Sequence, residues 1–385
     1  HTQNSDCNRS DDTAMETGSG VTIMGYAGVC DPNVELHSID NYHAISLDEI
    51  AGHMVFGGGN TCATSTVTGN NAPSVTVTQA SYNIPKSTPF FLTAAGIDLD
   101  GDALTYNWEQ MDNQVSTQPP VASSTGGPSF RCFTSTTSPT RYFPNLTAIL
   151  GNSTPTWEVL PSVARTMHFR CTVRDNHALA GCTDETDVTL TVSGSAGPFV
   201  VTAPNTSAVI WAAGSMQTVT WNVASTNVTP VNATQVEIYL SIDGGQTYPY
   251  TLSGGTMNDG TQSILVPDNI PNTVTTARVM VKGKNNVFFD VSNQNFTITS
   301  PPSFAFGASV EPVSVCNTAE AVFTVNIASV SGFNQSVSLD ATGAPAGAMV
   351  SFNPTSIAPP GNVQMTVSNL SGAAAGTYSL TITAT

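Results

Sequence analysis

Residues 167–175 read MHFRCTVRD, and the order of side chains in this run decides the fold class. Met167, Phe169, Cys171 and Val173 are apolar, while His168, Arg170, Thr172 and Arg174 between them are polar or charged. A period of two sends one set to each face of an extended strand. The same short alternating bursts lie on either side, in SVTVTQ (74–79), PFFLTAAGID (89–98), ALTYNWEQ (103–110) and DVTLTV (187–192). They continue through QTVTWNV (217–223), QVEIYLS (235–241), ARVMVKG (277–283), AVFTVNIA (321–328) and VQMTVSN (363–369). The chain therefore reads as mostly β.

Turn residues break these runs at regular intervals. SGSAG (193–197) and SPPS (300–303) separate stretches of strand, and VSTQPPVASSTGGPS (115–129) reads as a long surface loop. Units of roughly 85–130 residues built from short strands match Ig-like or fibronectin-like sandwiches in a row. The boundaries expected are 1–62 for a small, partly helical segment, 63–195 for a sandwich with a long loop, and 196–300 and 301–385 for two more sandwiches. The polar linker ATSTVTGNNAPS (63–74) lies between the first two. LHSIDNYHAISLDEIAGHMVFGGGN (36–60) holds the one convincing helix. Ser46 and Glu49 have the spacing of a capping box, and Gly57 to Gly59 would stop the helix.

The bulk numbers exclude several function classes. With 385 residues, 27 acids, 10 bases and a net charge of −17, the chain has nothing basic with which to neutralise phosphates, so nucleic acid and anionic lipid are poor partners. Cations such as calcium suit it better. No apolar run approaches the ~20 residues that span a bilayer. The chain begins on His1 without a start signal, which reads as a processed product or a fragment. Seven scattered cysteines, Cys7, Cys30, Cys62, Cys132, Cys171, Cys182 and Cys316, lack tight C-x-x-C pairs and read as disulfides of an oxidising, extracellular setting. The odd count leaves one thiol free or paired outside the chain, and the pattern leaves the pairing open. Glycosylation sequons stand at Asn8, Asn145, Asn152, Asn205, Asn227, Asn232, Asn295, Asn334 and Asn369.

The opening HTQN (1–4), the stretch GSGVTIMGYAGVC (18–30) and SLDEIAGHMV (46–55) together resemble the second half of a reprolysin-like (adamalysin-type) metzincin zinc protease, of the form secreted by bacteria. In that family a helix bearing H-E-x-x-H supplies two zinc ligands and a water-activating Glu, and a third His follows a glycine turn. The resemblance places His1 as that third ligand and Met24 in the Met-turn beneath the metal, where it packs without ligating. Tyr26 stands where a Tyr of some metzincin branches ligates zinc or steadies the tetrahedral intermediate, a role on which reprolysin-like members do not depend, and the resemblance makes Cys7–Cys30 a disulfide clamp worth about 3 kcal/mol. The two helix histidines and the Glu are not in this sequence, so the chain itself is expected to be inactive. Without the resemblance, His1 is a solvated side chain and Met24 an ordinary core residue.

The segment GIDLDGDALTYNWEQ (96–110) places Asp98, Asp100 and Asp102 at alternate positions around Gly101. Three carboxylates so close repel one another unless a cation neutralises them, and calcium prefers such oxygen clusters. The stretch resembles the acidic loop of cadherin-like and polycystic-kidney-disease-type sandwiches, with Asp175 of VRDN as a partner acid. The alternative is a solvated turn. Trp108 reads as core, and SIDGGQTY (241–248) resembles an Asp-box hairpin in which Asp243 ties its own turn. His37, His43 and His53 are placed on or near helix faces, and His168 in a strand and His177 in a loop, the last two without a companion at ligand spacing. FGGGN (56–60) follows a helix, whereas a phosphate cradle precedes one.

Three readings result. The first is the C-terminal part of a secreted zinc metalloendopeptidase acting on proteins or peptides. The second is a structural or adhesive surface protein that self-associates or binds other extracellular proteins. The third is a glycan-binding accessory module. Each is secreted or displayed at the cell surface.

Overall fold

The computed structural model describes residues 1–61, 64, 66–178, 180–270, 272–308, 312–316 and 318–385. They form two compact units. One comprises 1–209, 216–265 and 275–296, and the other 210–215, 266–274 and 297–385. Strand dominates both, as the alternation predicts, and the architecture is a series of β-sandwiches.

In the first unit an irregular lobe (residues 1–43) leads into helix α1 (Ala44–Phe56). The sandwich that follows is built from β1 (Ser74–Thr76), β2 (Ser81–Pro85), β3 (Phe90–Thr93), β4 (Ala95–Ile97), β5 (Thr105–Gln110), β6 (Thr140–Phe143), β7 (Arg165–Arg174) and β8 (Thr183–Ser193), with the short helix α2 (Leu146–Leu150) after β6. One sheet runs β2-β8-β7-β5, β3 pairs with β6, and β1 with β4. Register sets Trp108 opposite Cys171 and Phe169 opposite Val188. The period of two holds on β7: Met167, Phe169, Cys171 and Val173 are fully buried. Phe90, Phe130, Phe143 and Phe169 close the core, with Phe90 stacked on Phe143 at 4.9 Å and Phe169 edge-on to Phe143 at 4.8 Å. Such ring pairs add about 0.5–1.5 kcal/mol beyond the area they bury.

The same unit continues through β9 (Val200–Ala203). β10 (Ile210–Ala212) belongs to the second unit. Next come β11 (Met216–Asn222), β12 (Gln235–Ser241), β13 (Tyr250–Met257), β14 (Thr261–Leu265), β15 (Val274–Gly283) and β16 (Phe289–Val291). β14-β11-β9 form one sheet, and β12 pairs with both β13 and β15. Phe91 and Tyr142 pack on Phe289, with Leu150 and Met280 beside them, so the two sandwiches of this unit share apolar contacts.

In the second unit β10 runs parallel to β17 (Phe296–Thr299). Its remaining strands are β18 (Ser303–Ala308), β19 (Ala321–Val330), β20 (Val337–Thr342), β21 (Met349–Asn353), β22 (Ser356–Ile357), β23 (Gly361–Ser368) and β24 (Thr381–Ala384). The sheets β18-β19-β23-β21 and β22-β20-β24 enclose Val325, Ile327, Val337, Val363 and Met365.

Two expectations need correction. Helix α1 begins earlier than the capping-box spacing suggests. Its N-cap is His43, whose Nδ1 accepts from the Ile45 amide, and Ser46 lies buried inside the first turn. A tertiary partner sets this start, because the Ala44 amide donates to Glu109 Oε2 at 2.8 Å across 65 residues. The cysteines also differ from the reading as disulfides. Cys132, Cys171, Cys182 and Cys316 are free thiols, and Cys62 lies outside the described residues. Cys132 and Cys171 are buried and serve as small apolar side chains of the core.

Candidate functional site

The amino-terminal lobe brings together the residues that the first resemblance singles out. The Thr2 amide donates to the Met24 carbonyl at 3.3 Å, which lays the first residues along the turn 21–25. His1 Nε2 lies 3.1 Å from the Tyr26 hydroxyl, and the two rings are 4.8 Å apart. The turn closes through Gly25 N to Thr22 O at 2.9 Å, and Tyr26 N is held by Ser19 O at 2.7 Å. Cys7 and Cys30 form a disulfide with Cα atoms 5.9 Å apart. Met24 is 42% exposed and His1 is exposed, so the methionine lies at the surface beside the imidazole rather than in a packed floor.

One buried residue that sequence reasoning passed over organises this lobe. Glu16 is 1% exposed, and four donors converge on it. Its Oε1 accepts from the hydroxyls of Thr2 and Thr22, and its Oε2 from the amides of Val21 and Thr22 at 2.7 and 3.0 Å. The carboxylate thus ties the strand behind His1 to the turn that carries Met24. Its partners are backbone amides and threonines, which carry no pattern in sequence.

One imidazole beside one phenol can bind a proton or a weak ligand. A catalytic zinc needs three protein ligands and an open position. Among the described residues, no cluster of three His, Cys, Asp or Glu side chains includes His1.

The acidic loop is assembled as its spacing predicts. Ligand oxygens of Asp98, Asp100 and Asp102 lie within 4.8 Å of one another. Asp98 Oδ1 accepts from the amides of Asp100 and Asp102, and Gly101 sits at φ +80°, where a Cβ would be strained. Asp100 accepts from the Asn71 amide at 2.6 Å and its side chain at 2.8 Å, and these bonds hold its pKa below the usual range. His177 Nδ1 meets Asp102 at 2.7 Å, which raises the imidazole pKa. Asp175 stands outside the trio. Its oxygens accept from Asn70, His177 N and Cys182 N, and although desolvation works against its charge, those bonds keep its pKa low.

The remaining expected residues take structural places. Trp108 is buried and donates to Pro139 O at 3.0 Å. Asp243 accepts from Ser241, Gln246 and Thr247 and closes its own hairpin. Desolvation opposes its charge, yet these bonds bring its pKa to about 2. His168 pairs with Asp112 at 2.7 Å, while His37 and His53 are exposed.

No family model matches the chain, and no curated protein matches it. Among solved structures it is similar to the N-terminal Ig1-2 module of the Drosophila receptor protein tyrosine phosphatase DLAR, with 12% identity over 60% of this chain and 99% of that one and a TM-score of 0.31. It is similar also to the fibronectin(III)-like modules of Clostridium thermocellum CbhA, with 10% identity over 59% and 94% and a TM-score of 0.20. Domains 1–6 of the surface layer protein SbsC match at 15% identity over 82% of this chain and 39% of that one, with a TM-score of 0.19. No helix among the described residues is long and apolar enough to cross a membrane.

Proposed function

We propose that the chain works outside the cell as a β-sandwich scaffold whose amino-terminal lobe contributes residues to a metal-dependent endopeptidase site, the chain by itself being inactive. The observation that carries the catalytic half is the join between His1 and the turn at Met24: the Thr2–Met24 bond, the Tyr26 hydroxyl against His1 Nε2, and Glu16 beneath both. In this reading His1 Nε2 would be one of the residues that hold a zinc, and Tyr26 would donate a hydrogen bond beside it. A zinc bound there would supply an activated water. This chain's own residues hold the imidazole and the phenol in register. The encoding reading frame tests the idea. Residues reading H-E-x-x-H-x-x-G-x-x immediately before His1 support it, and any other sequence there removes the peptidase.

A scaffold alone, adhesive or filament-forming, is the second reading. The run of sandwiches and the Cys7–Cys30 disulfide, which suits an oxidising compartment, both support it. Ordered polymers of the purified chain under the electron microscope would favour it, and a monodisperse species would count against self-assembly. Calcium at Asp98, Asp100 and Asp102 fits either reading. The expected outcome is a higher melting temperature with calcium than with chelator, and equal melts would leave the loop a solvated turn.

A further inference from the structure

The junction between helix α1 and the first sandwich encloses a second set of metal-ligating groups, apart from His1 and from the acidic loop. His43, Glu109 and Cys132 are 0%, 0% and 1% exposed, and their ligand atoms lie within 4.8 Å of one another. They come from three places in the chain: the N-cap of α1, strand β5, and the long connection between β5 and β6.

The ordinary partners of these groups do not use them up. Glu109 Oε2 takes the Ala44 amide, but Oε1 has only Asn41 Nδ2, at the limit of 3.5 Å. His43 Nδ1 takes the Ile45 amide, and Nε2 is buried with no hydrogen-bond partner. A buried polar atom left unpaired costs about 1–3 kcal/mol, so the site is incomplete as a hydrogen-bonded core. One thiol, one imidazole and one carboxylate are the donor types that suit a borderline divalent cation of the zinc class, whereas calcium and magnesium prefer all-oxygen shells.

We propose that His43, Glu109 and Cys132 supply three ligands to a binding site for one zinc-class divalent cation, which pins α1 to the sandwich. Tetrahedral zinc needs ligand atoms about 3.5 Å apart, so shifts of roughly an ångström close the cluster. The Cys132 S–H bond breaks, its proton leaves to solvent, and a sulfur–metal bond forms. Thiolate and carboxylate then balance the two positive charges of the ion. This balance is needed because the amides at the start of α1 and the Arg174 guanidinium already present positive charge to Glu109. Whichever imidazole nitrogen binds, Nδ1 ceases to accept from Ile45. A metal on Nε2 moves the ring proton to Nδ1, and a metal on Nδ1 takes its lone pair. Metal uptake therefore exchanges the helix cap for a metal bond.

The full chain, produced in cobalt-supplemented medium, tests this. Expected are about one cobalt per chain and a near-ultraviolet thiolate-to-cobalt band. Cys132→Ser should lose the band and at least about nine-tenths of the metal, while Cys171→Ser keeps both. A wild-type chain without the band, or a band that survives in Cys132→Ser, overturns the proposal. Should Cys132→Ser fail to fold, amide exchange of the wild-type chain decides. Ile45 must exchange faster in the metal-loaded than in the metal-free protein, and equal rates overturn the site.

Discussion

The amino-terminal lobe and the first sandwich bury their residues by opposite means. In the lobe the buried side chains are chiefly Thr2, Gln3, Asn4, Ser5, Thr13, Glu16, Ser19 and Thr22, each hydrogen-bonded, with Thr2 and Thr22 meeting at the Glu16 carboxylate. In the sandwich the largest are Phe90, Leu92, Trp108, Phe130, Phe143, Met167 and Phe169, which meet through surface removed from water, although the charged Glu109, Asp112, Glu158 and Arg165 are buried there too. Polar burial is directional: it fixes where His1 and Tyr26 point, and its energy rests on a few atoms. Apolar burial is additive and tolerant of direction. A sandwich of that kind supports a site, and a lobe of the other kind shapes one.

The largest effect expected from this contrast is in the sandwich. Phe169 is fully buried, with ring centroids 4.8 Å from Phe143, 5.7 Å from Phe90 and 6.0 Å from Phe130. Phe169→Ala should destabilise the first unit by about 3–5 kcal/mol, read from denaturant melts, through lost transfer energy and the cavity left behind. A loss below about 1 kcal/mol would mean that the four rings do not form one core.

A half-buried carboxyl on β16 gives the next effect, and its sign is fixed. Burial raises the Asp290 pKa to about 7, although the amides of Val201 and Val291 favour the charge. A raised carboxyl contributes stability in full below its unfolded pKa of about 4, and that contribution is lost as pH rises through about 7. Each tenfold difference in proton affinity between the folded and unfolded chain is worth about 1.4 kcal/mol. The residue is only half-buried, which discounts the total loss from pH 4 to pH 8 to about 2 kcal/mol. Asp290→Asn should flatten that slope. A wild-type profile already flat over the same range contradicts the assignment.

The two modes of burial also explain what was legible in the sequence. The strands were, because a period of two on β7 is a local pattern that burial in the structure repeats from Arg165 to Cys171, with only Thr172 buried against it. The Asp243 hairpin and the acidic trio were legible too, since their hydrogen bonds close within a few positions. The start of α1 was not, because Glu109, which takes the Ala44 amide, lies 65 residues away. Nor was the His43–Glu109–Cys132 cluster, whose members share no spacing and meet only through the tertiary fold. Pattern reveals what one element does by itself. Long-range polar contacts have no period.

The finest test of the contrast is Glu16→Gln, which keeps the volume and removes the charge. The remaining amide oxygen can still accept from the Val21 and Thr22 amides, and the new amino group can donate to the hydroxyls of Thr2 and Thr22, which rotate to accept. Geometry therefore survives, and what is lost is the charge assistance of four bonds. Hydrogen bonds to an ion are worth roughly twice neutral ones, so the lobe should lose about 2 kcal/mol while the sandwich melts as before. Amide exchange localises the effect: Val21 and Thr22 should exchange about thirtyfold faster than in the wild type, with the core amides of β7 unchanged. Unchanged protection at Val21 and Thr22 would show that the turn beside His1 stands without its carboxylate. Faster exchange in β7 would show that the lobe and the sandwich form one cooperative core, and the distinction between them would fall.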